Sequence, residues 1–165
     1  MACPGLQTRI LCCLLTVCGF YAACRTQTNP VVQKQLVTDE TSRQIAIVPR
    51  PQRIISLAPN ITETLFALGL GERVVGVTSY CDFPIEAKTK EKIGDTLKPN
   101  LERIIALKPD LVLISTASQL EKITRQLDQL QIPVFVTNPQ TVAEVLSSIR
   151  KLEKLLARWR GRKHH

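Results

Sequence analysis

Apolar and polar residues alternate along the chain in blocks that predict strands followed by helices. Four short apolar runs, rich in β-branched residues, have the length of buried strands; they cover residues 54–57, 74–77, 111–114 and 132–136. Apolar residues spaced three and four positions apart predict helices, and these cover 60–68, 100–107, 118–130 and 141–157. Because strands and helices alternate, we expect an α/β fold with a mainly parallel sheet and helices on both faces.

Suitable capping residues stand at the expected ends of these helices. Asn60 or Thr62 can accept a hydrogen bond at the start of the first helix, and Gly69 can end it. Asn100 and Thr141 hold the equivalent position before the second and fourth helices. Ser118 opens the third helix, so each helix start has a sequence signal of its own.

The N-terminal third begins with segments of a different kind. Two short apolar runs, 36–38 and 44–48, flank a polar tetrad and predict a β-hairpin. Residues 25–35 are polar and predict a flexible tether. Residues 1–24 have the charged start, apolar core and small-residue end of an export signal. That end resembles a bacterial lipoprotein signal, so we expect lipidation of Cys24 and a location at the periplasm or cell envelope; plain cleavage and an uncleaved anchor are the alternatives.

Charge and cysteine content narrow the possible partners. The net charge is +8, but residues 150–165 hold seven basic residues against one acidic residue, so the rest of the chain is nearly neutral. Only 4% of the residues are aromatic, so little surface for base stacking is available and we expect no nucleic-acid binding. Five of the six cysteines lie in residues 1–24, which leaves Cys81 alone in the folded part without a disulfide partner.

Residues and motifs that are typical of several enzyme classes are missing from the body of the chain. Gly69 and Gly71 follow a helix and precede a strand, which is the reverse of a dinucleotide-binding turn. Both histidines stand at the extreme C-terminus, so neither a Ser-His-Asp triad nor a histidine metal site is predicted. We interpret Cys81 and Asp82 as a structural loop pair. No catalytic residue, cofactor or metal site is therefore expected.

Polar residues follow each predicted strand at the point where it ends. They are Pro59, Asn60, Tyr80, Ser115, Thr116 and Asn138. Because the carboxyl ends of parallel strands meet at one edge of a sheet, these residues can line a common ligand site. For the two asparagines, turn formation alone is the favoured explanation. Tyr80 differs, because a tyrosine in such a loop offers a flat apolar face to a planar or amphipathic ligand.

Several motifs occur in an order that carries a resemblance. They are RIISLAPNITE at 53–63, LFALG at 65–69, VGV at 75–77, SYCDFP at 79–84, NLERI at 100–104 and LKPDLV at 107–112. In these motifs the chain resembles the periplasmic binding proteins that deliver iron–siderophore, haem and cobalamin to ABC importers, and it is closest to the cobalamin-binding branch. The resemblance covers residues 36–157 and corresponds to the N-terminal lobe of a two-lobe protein with a helical backbone.

The resemblance implies a binding function without catalysis. The ligand would be cobalamin, or haem or a ferric siderophore, held between the lobes by Tyr80 and the loop at Pro59 and Asn60. Glu102 matches an acidic residue that docks on the membrane permease of the importer. The relatives nearest to cobalamin-binding proteins carry tryptophans near the positions of Thr96 and Ser115, and this chain has neither.

Length is the larger departure from the family pattern. The resemblance makes the helix at 141–157 the start of the long helix that joins the two lobes, after which residues 158–165 form a basic tail without apolar periodicity. We interpret that tail as truncated or frameshifted sequence; an authentic basic tail is the alternative. A single lobe is expected to bind ligand weakly or not at all, because half of the cleft would be absent.

Two other interpretations remain open at this stage. One is an α/β enzyme that modifies a sugar or nucleotide, for which Tyr80, Asp82 and Asn138 are poor catalytic material. The other is a non-functional fragment of a split gene.

Overall fold

A computed structural model describes residues 33–115 and 120–157. Its strands are β1 (Gln35–Thr38), β2 (Gln44–Ile47), β3 (Ile54–Ser56), β4 (Val74–Val77), β5 (Glu91–Lys92), β6 (Leu111–Ser115) and β7 (Val134–Thr137). Its helices are α1 (Pro59–Ala67), α2 (Leu101–Ala106), α3 (Leu120–Gln129) and α4 (Val142–Ala157), with 3₁₀ turns at Gly71–Arg73 and Ile85–Thr89. The predictions for the export signal with Cys24, for Thr116 and for the tail at 158–165 lie outside the described residues, as does most of the predicted tether.

The strands form the hairpin and the parallel sheet that the sequence predicts. β1 and β2 pair antiparallel, with Gln35 opposite Ile47. The other five strands pair parallel in the order β5-β4-β3-β6-β7. The α/β prediction, with its preceding hairpin, is confirmed. The sequence did not indicate β5, because this edge strand has only two residues and both are charged.

Successive side chains of the central strands point to opposite faces of the sheet and fill two separate cores. On one face Ile54, Leu111 and Leu113 pack with α1, α4 and the hairpin. On the other face Ile55, Val112 and Ile114 pack with α2 and α3. Burial on both faces explains why these strands read as continuous apolar runs instead of alternating ones.

The first helix begins earlier than its predicted caps. Its first residue is Pro59, and the capping residue Ala58 makes no side-chain hydrogen bond to the helix. The prediction that Asn60 or Thr62 caps this helix is wrong, because proline is already set in a helical φ and needs no amide partner at the first position. The predicted end is confirmed, since Gly69 follows the last turn with a φ of +71°.

The caps of α2 and α4 are those that the sequence predicts. The Asn100 side chain accepts a hydrogen bond from the Arg103 amide at 3.0 Å. At the start of α4, Thr141 Oγ1 accepts from the Glu144 amide, while Glu144 Oε2 accepts from the Thr141 amide, both at 3.2 Å. This reciprocal pair is a capping box.

The C-terminal half of helix α4 packs against one face of the five-stranded sheet. Leu152 and Leu156 are buried in the core, and the Arg73 guanidinium donates to the Leu156 carbonyl at 3.0 Å. The N-terminal half differs, because Val142 and Leu146, which belong to the apolar spacing that predicts this helix, are exposed. The continuation of this helix toward a second lobe stays a prediction.

None of the helices within the described ranges combines the length and hydrophobicity that crossing a bilayer requires.

Candidate functional site

The loops that follow four neighbouring strands lie at one edge of the sheet. In spatial order β4, β3, β6 and β7, the residues at or after the strand ends are Tyr80, then Pro59 and Asn60 at the start of α1, then Ser115 as the last residue of β6, then Asn138; we call these five residues the rim. Ser56 pairs with Val77 and Ser115 pairs with Thr137, so β3 ends level with β4 and β6 ends level with β7. Strand β6 continues for two residues beyond Leu113, the partner of Ser56. Strands lie about 4.8 Å apart, so the rim extends over about 14 Å.

Tyr80 and Asn60 are the exposed members of the rim. Tyr80 is 63% exposed, the Asn60 side chain is also exposed, and Pro59, Ser115 and Asn138 are half-buried. The exposed phenol ring provides the flat apolar surface that the sequence suggested.

Asn138 makes hydrogen bonds that hold the loop after β7 in place. Its backbone amide donates to Glu40 Oε2 at 2.7 Å, and its Oδ1 accepts from Gln140 Nε2 at 2.7 Å. Asn138 thus fixes the loop after β7 to the hairpin turn, and any contact with a ligand would be additional to this role.

A small cavity joins two parts of the rim on the α1 and α4 side. Its volume is about 70 Å³, and its lining includes Asn60, Thr64, Pro139, Val145 and Ile149. The structure therefore brings Asn60 together with the loop after β7, while Tyr80 lies at the opposite end of the rim.

Beneath the rim lies a buried cluster of hydroxyl and thiol groups that sequence reasoning missed. Thr62 Oγ1 lies 2.8 Å from Ser56 Oγ and 3.1 Å from Cys81 Sγ, and Thr78 Oγ1 also lies 3.1 Å from that sulfur. Ser56 ends β3, Thr62 is in α1, and the other two flank Tyr80 in the loop after β4. The cluster ties together the two loops that carry Asn60 and Tyr80. The available signal was a polar residue at the end of an apolar strand, with a second in the following helix.

The loop that carries Tyr80 is also held from the edge strand. Lys92 Nζ donates to the Cys81 carbonyl at 2.9 Å. Arg103 in turn donates to the Lys92 carbonyl at 2.7 Å and pairs with Glu91 at 3.5 Å. Cys81 itself is fully buried, which agrees with its interpretation as a structural residue.

The rim loops carry little charge. Residues 57–60, 78–84, 115–119 and 137–140 include one charged residue by sequence, Asp82. Its side chain is exposed. These loops therefore offer hydrogen-bonding and apolar groups but no basic side chain for an anion.

Glu102 lies in the first turn of α2 and is exposed. The start of this helix is anchored at the end of β5, because the Asn100 amide donates to the Ile93 carbonyl at 2.6 Å. Glu102 consequently lies on the same side of the sheet as the rim, beyond its β4 end.

Comparison with known proteins identifies the family of this chain. A family model described as periplasmic binding protein matches residues 54–159. The chain belongs to this family. A vitamin B12-binding protein of Pectobacterium carotovorum is 40% identical over 102 residues, 62% of this chain and 37% of that protein. An uncharacterized ABC transporter substrate-binding lipoprotein of Bacillus subtilis is 39% identical over 131 residues, 78% of this chain and 40% of that protein.

Solved structures of the family show the same architecture. The periplasmic vitamin B12-binding protein of Vibrio cholerae is 34% identical, with a TM-score of 0.58 over 65% of this chain and 41% of that one. A periplasmic haem-binding protein of Pseudomonas aeruginosa is 25% identical, with a TM-score of 0.59 over 65% of this chain and 39% of that one. This chain spans about two-fifths of the length of the curated relatives it matches.

Proposed function

We propose that the chain is one lobe of the substrate-binding component of an ABC importer, and that its ligand is cobalamin or a related metal chelate. The observation that carries the proposal is the rim, where four parallel strands deliver an exposed tyrosine and polar loop residues to one edge. Relatives named as vitamin B12-binding proteins support the ligand class. The importer family and the predicted export signal support a location in the periplasm or cell envelope, and the lipoprotein relative supports an anchor at Cys24.

The charge of the rim favours cobalamin over the other chelates. Haem carries two propionates, and many ferric siderophores are anionic, so their sites profit from arginine or lysine. Cobalamin presents uncharged amides around its ring. Asp82 is the single charged residue of the rim loops, and the neighbouring Lys92 ammonium already donates to the Cys81 carbonyl, so these hydrogen-bonding loops suit the amide periphery better.

Affinity should be low for this lobe on its own. Ligand sites of high affinity bury most of the ligand surface, and an open rim can cover only one side of a corrin. Isothermal titration of the purified chain with cyanocobalamin should therefore give a Kd well above 1 μM, on the order of 0.1 mM or weaker. A sub-micromolar Kd for the monomer would contradict the one-sided site.

The contact itself is tested by nuclear magnetic resonance, which detects weak binding. Titration of the isotope-labelled chain with cyanocobalamin should shift the amide signals of Tyr80 and Asn60. Tyr80→Ala should weaken binding about tenfold, because it removes a large stacking surface, whereas Tyr80→Phe retains the ring and should stay within about twofold. Equal affinities of the wild type and Tyr80→Ala would show that the tyrosine does not contact the ligand. The absence of any rim shift at millimolar cyanocobalamin would refute the proposed ligand.

Glu102 is proposed to dock on the permease of the importer. Its exposed carboxylate, on the same side of the sheet as the rim, can meet a basic permease surface while a ligand is bound at the rim. Charges in such positions mainly accelerate encounter and fix the orientation of the partners.

A further inference from the structure

A groove of about 470 Å³ lies between the hairpin and the C-terminal half of α4. Three apolar and three basic residues line it, and we call these six residues the basic groove: Val37, Phe135, Leu155, Arg50, Lys151 and Lys154. None of the described residues that line it is acidic. Cations around an apolar floor suit an anion that carries an apolar part.

The three basic side chains make no ion pair within the described part of the chain, where no carboxylate lies within 4.0 Å of them. Arg50 and Lys154 are exposed. Lys151 is half-buried, and its Nζ lies 5.5 Å from the centre of the Phe135 ring. This cation–π contact holds an ammonium at the groove without neutralising it. The positive charge of the groove is therefore available to an anion.

Arg50 occupies a backbone position that suits glycine better than arginine. Its φ is +58°, and Gln52 Nε2 donates to its carbonyl at 2.8 Å. Residues other than glycine adopt this left-handed region at a cost, and arginine is not among those that tolerate it best. Local backbone preference therefore does not explain an arginine here, whereas a role for its charge does.

The basic groove lies at the amino ends of the strands, opposite the rim. Arg50 precedes β3, and α4 runs from the end of β7 back to this edge. There Arg73, directly before β4, donates to the Leu156 carbonyl at 3.0 Å. The two edges differ in charge, because the rim loops include no basic residue by sequence.

The groove is also the part of the lobe that lies nearest in sequence to the expected lipid anchor. Gln35 borders the groove at the start of β1 and follows Cys24 by eleven residues. A lipid on Cys24 would hold this edge within about 40 Å of a bilayer. The next residue, Leu36, is 72% exposed. An apolar side chain beside basic ones is typical of surfaces that lie on membranes.

We propose that the basic groove binds the phosphate of an anionic phospholipid, so that the lobe lies on the membrane with the rim turned toward the aqueous compartment. This inference rests on the proposed function only for the location at the cell envelope. Arg50, Lys151 and Lys154 contact the phosphate, and the apolar floor receives the carbon atoms next to it. Glu102 lies on the rim side, so docking on a permease requires release of the groove from the lipid.

Nanodiscs with a gadolinium chelate on a lipid headgroup report which edge of the lobe lies near the bilayer. On nanodiscs rich in phosphatidylglycerol, the isotope-labelled chain should show stronger paramagnetic broadening at the amides of Leu36, Arg50 and Lys154 than at those of Asn60 and Tyr80. Phosphatidylcholine nanodiscs, or about 0.5 M salt, should abolish the difference, because the attraction is electrostatic. Equal broadening at the two edges, including none at either, would overturn the proposal.

Two variants test the groove itself through the ratio of partition onto phosphatidylglycerol and phosphatidylcholine vesicles. Arg50→Gly removes one charge at a position that suits glycine, so the ratio should fall about fivefold while the midpoint of thermal unfolding stays unchanged. Lys154→Glu reverses a charge and should lower the ratio about 20-fold. The control is Lys122→Glu, at an exposed position of α3 on the other face of the sheet, which should stay within about twofold. Equal losses in the two charge reversals would show general attraction to the surface and overturn the groove.

The remaining outcomes separate lipid from other occupants and from the proposed ligand. Inorganic phosphate or an acidic peptide that shifts the groove amides as strongly as phosphatidylglycerol does would overturn the assignment to lipid. Cyanocobalamin shifts at Tyr80 and Asn60 do not involve the groove. They can therefore persist when the lipid contact fails, and the lipid contact can persist when they are absent.

Discussion

Replacing Thr62 with valine removes a buried hydroxyl and keeps the shape of the side chain. Thr62 Oγ1 lies 2.8 Å from Ser56 Oγ, 3.1 Å from the Ala58 carbonyl and 3.1 Å from Cys81 Sγ. Ser56, Thr62 and Cys81 are all fully buried, so no water can replace the lost group without rearrangement. The substitution therefore tests whether the cluster beneath the rim holds α1 and the Tyr80 loop together.

The expected effect follows from what valine leaves behind. Its methyl group fills the volume of the hydroxyl, so no cavity contributes to the free energy of unfolding. Ser56 Oγ keeps its own hydrogen bond to the Ala58 carbonyl, at 3.1 Å, but loses the donor that Thr62 supplied. The loss of one buried hydrogen bond between neutral groups costs about 0.5–1.5 kcal/mol. We expect Thr62→Val to lower the free energy of unfolding by that amount.

Urea denaturation, followed by circular dichroism, measures this loss. The control is Thr64→Val in the same helix, whose hydroxyl donates to the Asn60 carbonyl at 2.8 Å where water can replace it. It should change the free energy of unfolding by less than about 0.5 kcal/mol. A double-mutant cycle of Thr62→Val with Ser56→Ala should give a coupling of at least about 0.5 kcal/mol. Equal losses in the two threonine variants, or zero coupling, would refute the cluster as a unit.

Two further substitutions test Asp110, near the amino ends of the strands, and Glu102, near their carboxyl ends. Asp110 accepts two backbone hydrogen bonds, at 2.7 and 2.9 Å, from the residues just before β3, so Asp110→Ala should lower the free energy of unfolding in urea by about 0.5–1.5 kcal/mol. Asp82→Ala, at an exposed loop position, should stay within about 0.5 kcal/mol, and an equal loss would contradict the anchoring role. Glu102→Lys should lower cyanocobalamin uptake into vesicles that contain the permease, with unchanged thermal unfolding, because it reverses a docking charge. Glu121→Lys, in the first turn of α3, is its control; equal loss of uptake would remove Glu102 from the interface.

The order of elements could be predicted because local signals and burial agree. Strands covered on both faces need continuous apolar residues, and the runs at β3, β4 and β6 provide them. Asn100 and Thr141 cap their helices as expected, since each stands directly before an amphipathic segment. The rim followed from the same logic, because parallel strands must end at a common edge.

The sequence was less informative where tertiary contacts override local preference. The end of β7 lies one residue beyond its predicted limit, at Thr137, because pairing with Ser115 of β6 continues to that point. β5 exists because the end of β4 offers it a partner, and no apolar run announces it. The buried cluster around Cys81 depends on contacts between residues that are distant in sequence, and local sequence patterns do not predict such contacts. The partners of Asn138, Glu40 and Gln140, are visible only in the structure.

The two outer strands of the sheet, β5 and β7, limit pairing with a further strand in different ways. β5 is too short, at two residues, to template another strand. On the other side, the Glu40 amide in the hairpin turn donates to the Val136 carbonyl at 3.0 Å. The Glu40 carboxylate accepts a hydrogen bond from the Asn138 amide just after β7. Among the described residues, neither border of the five-stranded sheet offers a long unpaired backbone, which disfavours aggregation through this sheet at the concentrations that weak-ligand titrations need.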